Sequence, residues 1–238
     1  MEQEAAAGPA GDVGPRRPRL NRERVLSAAI LLADEIGIDA LSMRRLAQEL
    51  DVVPMALYKH VAHKEELLDG MVEAIVAEID PPLADVGWRT AVRTRILSAR
   101  AALHQHSWAR RVVESRTTRT PGVLAYIDSM AGLFLAGGFS IELTHHVMHA
   151  MGGRMWGFTQ ELFDDPSPAP IPPDQLETMM RQAAAVFPNL VAVASYDAHD
   201  GDTVVGHGCD DAFEFAFALD LMLDGFERLN TSGWSRHG

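Results

Sequence analysis

Only one cysteine, Cys209, stands among 238 residues. A lone thiol cannot build an internal disulfide framework, and it fits a reducing cytoplasm. Placed in a loop rich in Gly, Asp and His, it reads as inert, because a reactive thiolate needs electropositive surroundings. No apolar run approaches the ~20 residues that a membrane helix requires. The opening MEQEAAAGPAGDVGPRRP carries early acids and no apolar core, so it is not read as a signal peptide. The expectation is a cytoplasmic protein with no membrane partner. Absent as well are a Gly-rich phosphate loop behind a strand, a GxSxG elbow and paired carboxylates in a recognisable frame. Catalysis is therefore not expected, and neither is a cofactor.

What is present is an uneven charge distribution. The formal net charge is −12, which by itself argues against a polyanionic partner. Between Arg16 and Lys64, however, nine cations face six anions, a local balance of +3 that leaves −15 to the remainder. A basic head on an acidic body is the pattern of a DNA-binding module joined to a domain with another task.

The head also has the right local chemistry. Residues 41–68 read LSMRRLAQELDVVPMALYKHVAHKEELL. Ser42 can accept from the free amides of the next turn and so opens a helix over 42–50. Leu46, Ala47 and Leu50 repeat on its inner face. Asp51, Val52 and Val53 form a turn, and Pro54 sits at the first position of a second helix over 54–61, where proline is tolerated. Leu57 and Val61 anchor that helix inward. This is helix-turn-helix geometry, with the second helix destined for a major groove. Upstream, Asn21 caps a helix carrying Val25, Ala29, Leu32 and Ile36, closed by Gly37. Downstream, a helix over 64–79 places Glu65 and Glu66 at its positive end, and Pro81-Pro82 stops it.

Residues 20–79 resemble the DNA-binding domain of TetR-type transcriptional repressors, most clearly in LYKHVAHKEELLDGMV after GIDALSMRRLA. Looser similarity to the tetracycline-repressor type of C-terminal domain follows in TRTPGVL, AGGFSIE and FPNL. The resemblance implies a double-stranded, pseudo-palindromic operator as partner. It implies that Ser42 and Arg44 reach phosphate or a groove edge and that Pro54, Met55 and Ala56 meet bases. Tyr58, Lys59 and His60 follow on the exposed side, and Lys64 stands beside the backbone. Pro54, Met55 and Ala56 cannot make bidentate hydrogen bonds, so they fit thymine methyl groups, leaving Arg44, Lys59 and His60 for polar readout.

From Trp88 onward the pattern stays helical. Val92, Ile96, Ala99 and Leu103 form one stripe. Thr120 caps a helix that opens with Pro121, carries Val123, Ile127, Met130 and Phe134, and ends at Gly137-Gly138. Ser140 caps the next, expected to run to residue 163. DDPSPAPIPPD is a loop, and Asp174 with Glu177 reads as a capping box for a helix ending at Phe187-Pro188. Phe213, Phe215, Phe217, Leu219, Leu221 and Leu223 alternate as a strand would. The run is nonetheless too long for a typical strand, lacks β-branched residues and begins with a capping box of Asp211 and Glu214, so it is assigned to a helix. A helix apolar on nearly every face must be buried nearly all round. Residues 140–163 and 211–229 are therefore expected to form a homodimer interface, as the resemblance implies.

The expectation is an all-α protein. Residues 1–19 form a disordered tail with a basic arm, 20–66 a three-helix helix-turn-helix domain, and 67–230 a helical ligand-binding and dimerisation domain. The register of the resemblance puts Arg95, Thr117, Met130, His145 and Met148 on the wall of a small-molecule site, with Phe134, His149 and Trp156 beside them. It also puts Asp80, and Val113 or Glu114, where the tetracycline repressor holds its magnesium–drug chelate, which argues against that inducer. Soft methionines and aromatics favour an apolar or aromatic molecule, and Arg95 suits an acidic one. His145 and His149 have the spacing of a zinc-binding pair, but no third ligand accompanies them. They read as core or interface histidines, and no metal is assigned.

Overall fold

The computed structural model describes residues 19–116, 118–155, 172–194 and 211–237. The N-terminal tail with Arg16 and Arg17, the wall candidates Thr117 and Trp156, and the loop with Cys209 lie outside these residues. Every regular element among the described residues is a helix, and none is a strand. The first helices are α1 (Arg22–Ile36), α2 (Met43–Glu49), α3 (Pro54–Leu57) and α4 (Lys64–Ala77). Then come α5 (Trp88–Gln105), α6 (Ala109–Ser115), α7 (Pro121–Ala136) and α8 (Ile141–Met155). Last are α9 (Pro173–Val186), α10 (Pro188–Ala194) and α11 (Asp211–Thr231). The chain forms two compact units, and they are not consecutive. One holds Met1–Ile75 and His106–Arg116; the other holds Val76–Gln105 and Thr117–Gly238.

In the first unit the expected caps are in place. Asn21 Oδ1 accepts from Arg24 N at 2.8 Å, and Ser42 Oγ accepts from Arg45 N at 3.2 Å. Gly37 has φ +79° and donates its amide to Ala33 O. Val25, Ala29, Leu32, Leu46, Ala47, Leu57, Leu67 and Met71 are buried, whereas Leu50 is only half-buried. Asp51 turns the chain between α2 and α3 with φ +52°. The left-handed region is unusual for a residue with a side chain but tolerable for Asp. Two boundaries differ from the sequence reading. α3 is a single α-helical turn rather than a helix to residue 61, because His60 N bonds back to Leu57 O at 2.8 Å and tightens the next turn. The fourth helix stops at Ala77, not Ile79.

In the second unit, α5, α7, α8 and α11 enclose one apolar core. Val92, Ile96, Met130, Phe134, Phe139, Leu143, Val147, Phe215, Leu219, Leu223 and Phe226 are all buried in it. Its aromatic centre is Trp88 against Phe139, 4.7 Å between ring centroids, and Phe134 against Phe139, 5.1 Å. Such edge-on contacts add about 0.5–1.5 kcal/mol beyond area burial. Gly137 sits under Trp88: a Cβ there would lie 2.6 Å from the indole Cγ. Arg93 clips α5 to α11 through Nε and Nη2 on the Asp220 carboxylate, at 2.8 and 3.1 Å, and this hydrogen-bonding raises the Arg93 pKa.

Several sequence expectations are corrected here. Thr120 occupies the N-cap position of α7 but makes no side-chain cap bond, and its buried Oγ1 has no hydrogen-bond partner among the described residues. Ser140 does cap α8, accepting from Leu143 N at 3.0 Å. Asp174 is not an N-cap, since α9 already begins at Pro173 and Pro172 occupies the cap position. Pro188 opens α10 rather than closing a helix, because proline needs no amide partner in a first turn. α6 had no sequence forecast at all. The alternating run of residues 213–223 is helical, as its length and lack of β-branching required, but α11 already includes Asp211, so that residue is not its N-cap.

Two stability effects follow. Gly137→Ala should lower stability by about 1–3 kcal/mol through overpacking against Trp88, visible as a lower thermal midpoint. A variant as stable as the parent would mean that the indole can move aside freely. Asp51→Val should cost about 1–2 kcal/mol because a β-branched residue resists positive φ, whereas Asp51→Gly should be close to neutral in the same denaturation assay.

Candidate nucleic-acid interface and ligand site

The helix-turn-helix presents its cations to solvent. Arg44, Arg45 and Lys59 are exposed, and none makes an ion pair with a described residue. Of the predicted contact residues, Ser42, Pro54, Met55 (70 % exposed) and Tyr58 (44 %) are exposed, while Ala56 and His60 are half-buried. Exposing Met55 that far forfeits burial worth about 1.5–3 kcal/mol, a loss consistent with an apolar contact made elsewhere. Lys64 is exposed, but its Nζ donates to Leu41 O at 2.8 Å. The same ammonium therefore ties α4 to the segment before α2.

α4 begins with a device that the sequence reading missed. His63 Nδ1 accepts from Glu66 N at 3.1 Å, and Glu66 Oε2 accepts from Ala62 N at 2.6 Å. That resembles a capping box with histidine in the place of serine, except that the glutamate reaches the amide one residue before the cap. The glutamate three residues on was its visible signal.

The first unit is also held by residues from far along the chain. Asp34 of α1 accepts from Trp108 Nε1 at 2.6 Å and faces His106 Nδ1 at 2.9 Å. Arg111 pairs with Asp39 through both guanidinium nitrogens, and that hydrogen-bonded partner lowers the Asp39 pKa. Arg116 meets Glu65 and, at 2.8 Å, Asp69. Burial opposes its charge, but the two carboxylates outweigh burial and raise its pKa. Four carboxylates, Asp34, Asp39, Glu65 and Asp69, thus fasten α6 and its flanks to α1, α4 and the intervening loop.

The predicted ligand positions divide. Met130 and Phe134 lie in the core between α5, α7, α8 and α11, and Met148 packs half-buried against it. Arg95 is 9 % exposed and donates Nη1 to Asp80 O at 2.6 Å. His145 and His149 are not with them. Both are exposed on the face of α8 opposite Leu143, Val147 and Met151, with ring centroids 4.6 Å apart. No cluster of three metal-ligating side chains occurs among the described residues. A groove of about 330 Å³ between α8 and α11, lined by Leu143, Val147, Phe226, Leu229 and Trp234, contains none of the predicted wall residues. Asp80, at the register position of the drug clamp, is occupied locally, accepting from Ser98 Oγ at 2.9 Å. Glu114 on α6 pairs with Arg110.

No helix among the described residues is long and apolar enough to cross a membrane. The family model described as bacterial regulatory proteins, tetR family, matches residues 25–71, and that of the tetracyclin repressor-like C-terminal domain matches residues 81–229. The chain is 36 % identical over 122 residues to the HTH-type transcriptional repressor DrrR1 of Streptomyces coeruleorubidus. That match covers 50 % of this chain and 45 % of the relative, so it spans about half of each. Similarity to the class D tetracycline repressor protein of Escherichia coli is 28 % over 226 residues, covering 89 % of this chain and 97 % of the relative. Among solved structures, apo ActR from Streptomyces coelicolor superposes with a TM-score of 0.71 at 26 % identity, covering 92 % of this chain and 100 % of that one. ActR solved with (S)-DNPA gives 0.64 at 26 % identity, over 88 % and 98 % of the two chains. With both family models matched in order and the reading helices folded as they require, the chain belongs to the TetR family of DNA-binding transcriptional regulators.

Proposed function

We propose that this protein is a homodimeric cytoplasmic repressor that leaves its operator when a small molecule enters the second unit. The observation that carries the DNA half is the set of exposed cations on α2 and beside α3, Arg44, Arg45 and Lys59, without ion-pair partners among the described residues. An acidic protein that leaves three arginines and lysines of one short motif unpaired is equipped for phosphate. Ser42, Tyr58 and Lys64 join them on the backbone, Pro54, Met55 and Ala56 meet apolar base edges, and Arg44, Lys59 and His60 supply polar readout.

Self-association is supported by α11. Phe215, Leu219 and Leu223 are buried, while Phe213 (62 % exposed), Phe217 (54 %) and Leu221 (55 %) form a second stripe on the opposite side. Ile141, 82 % exposed, and the His145–His149 pair occupy the outer face of α8. Apolar stripes of this size mark interaction surfaces, and a second copy of the same stripe is the self-complementary partner that a two-fold axis supplies. Two reading helices then meet successive major grooves of a pseudo-palindrome.

Ligand control is supported by the solved relative ActR, which carries a small molecule, (S)-DNPA, on the same fold. The chain crosses between the two units at residues 75–76, 105–106 and 116–117, so a change in the second unit has three covalent routes to the first. Release requires only that the ligand bind the two conformers differently, and operator binding must then weaken ligand binding by the same factor. We infer that a magnesium–tetracycline chelate is not the inducer. The chelate positions carry Asp80, engaged with Ser98, and Val113 or Glu114.

Fluorescence anisotropy on the upstream region of its own gene, titrated with salt, tests the reading. Lys64→Ala should weaken all sequences alike and reduce the salt slope by roughly one. Since Lys64 also holds Leu41 O, the variant should lose about 1 kcal/mol of stability as well. An unchanged slope would remove Lys64 from the phosphate contacts. Phe217→Asp or Leu221→Asp should convert the dimer to monomer or aggregate in size-exclusion chromatography, because a carboxylate desolvated without a partner costs several kcal/mol. If both variants remain soluble dimers competent for DNA, α11 is not the interface.

A further inference from the structure

The second unit contains a buried cation that no described residue neutralises. Arg95 lies on α5 beside Val92 and Ile96, 9 % exposed, and its one hydrogen bond among described residues runs from Nη1 to the backbone oxygen of Asp80. Its guanidinium carbon stacks 4.9 Å from the ring centre of Tyr126 on α7. Nε is buried without a partner, and so is the Tyr126 hydroxyl. Nη2 makes no hydrogen bond to a described residue either. The unused edge of the guanidinium is therefore the side-on fork of Nε and Nη2, whose two parallel N–H bonds match the two oxygens of a planar carboxylate. Burial lifts the Tyr126 pKa to about 12, so the phenol stays a donor at neutral pH.

Buried polar atoms in folded proteins are overwhelmingly hydrogen-bonded, and a buried guanidinium facing only a carbonyl is costly. Here a cationic fork and a phenolic donor remain unmet on neighbouring helices. Tyr126 shares an i, i+4, i+8 stripe of α7 with Met130 and Phe134, two of the positions assigned to the ligand wall. We propose that Arg95 and Tyr126 form an acid-binding subsite, and that the natural ligand is an apolar or aromatic molecule bearing a carboxylate. The inference rests on the ligand-released reading above and gives that ligand its polar end. The carboxylate accepts from Nε and Nη2, the Tyr126 hydroxyl donates to one of its oxygens, and the apolar body lies toward Met130 and Met148. Groups already stripped of water gain more from such a partner than solvated ones would.

The test uses a matched probe pair, 2-naphthoate and its neutral isostere 2-naphthamide, titrated calorimetrically into the full-length dimer. Wild type should bind the acid at least about ten-fold more tightly than the amide. Arg95→Met should bring that ratio close to one, Arg95→Lys should restore it only in part for want of the fork, and Tyr126→Phe should reduce it by a smaller factor. Without any ligand, Arg95→Met should melt no lower than wild type, since removing an uncompensated buried charge is neutral or stabilising. An acid no better bound than its amide at millimolar concentration, a ratio indifferent to Arg95→Met, or a sharply lower melting temperature for that variant would each overturn the subsite. Operator affinity of the wild-type protein is measured in parallel. Intact operator binding alongside lost acid preference sinks the subsite alone, whereas absent operator binding sinks the regulator reading.

Discussion

The Asp34 carboxylate is the constraint on which the arrangement of the DNA-reading unit depends. It sits near the end of α1, and its partners, His106 and Trp108, come from more than seventy residues later in the chain. A half-buried carboxylate with two ring N–H groups aimed at it is well satisfied; with either donor removed, part of its desolvation would go unrepaid. The ion pairs of Arg111 with Asp39 and of Arg116 with Asp69 extend the same hold along α6. The unit that carries the reading helices is thus closed by a segment enclosed, in sequence, by the second unit.

The second unit solves a different problem. α11 is apolar on two opposite faces, and a single chain covers only one of them. Phe215, Leu219, Leu223 and Phe226 complete the core with Phe134 and Phe139, and the Arg93–Asp220 fork fixes the helix against α5. The second face, with Phe213, Phe217 and Leu221, is left in water at a cost of about 1.5–3 kcal/mol per side chain relative to burial. One helix thus supplies both a buried apolar face and an exposed one.

Polar satisfaction is unevenly distributed between the two units. In the first, helix starts are capped by Asn21, Ser42 and His63, and the buried Asp69 Oδ1 and Arg116 Nε face each other at 2.8 Å. In the second, Arg95 Nε, Thr120 Oγ1, Tyr126 Oη and Thr144 Oγ1 are buried without a hydrogen-bond partner among the described residues.

Local chemistry in the sequence was enough for the reading module and for the class of fold. Asn21, Ser42, Pro54 and Gly37 act within a turn or two of themselves, so their roles survive any tertiary context. The helical character of residues 213–223 was likewise legible, from run length and the lack of β-branching, despite perfect alternation. Three things were not legible. α6 is a short helix without a polar cap and with few apolar positions, and its stability comes from Asp34, Asp39, Glu65 and Asp69, all distant in sequence. The length of α3 was overestimated because a tightened turn and a helix share one apolar spacing over so few residues. The ligand wall came apart in space: Arg95, Met130 and Phe134 face inward, whereas His145 and His149 point outward from α8, and Tyr126 gave no signal until Arg95 was found stacked on it. Sequence determined what each residue does to its own backbone; tertiary packing decided which distant charges meet and which are left unmet.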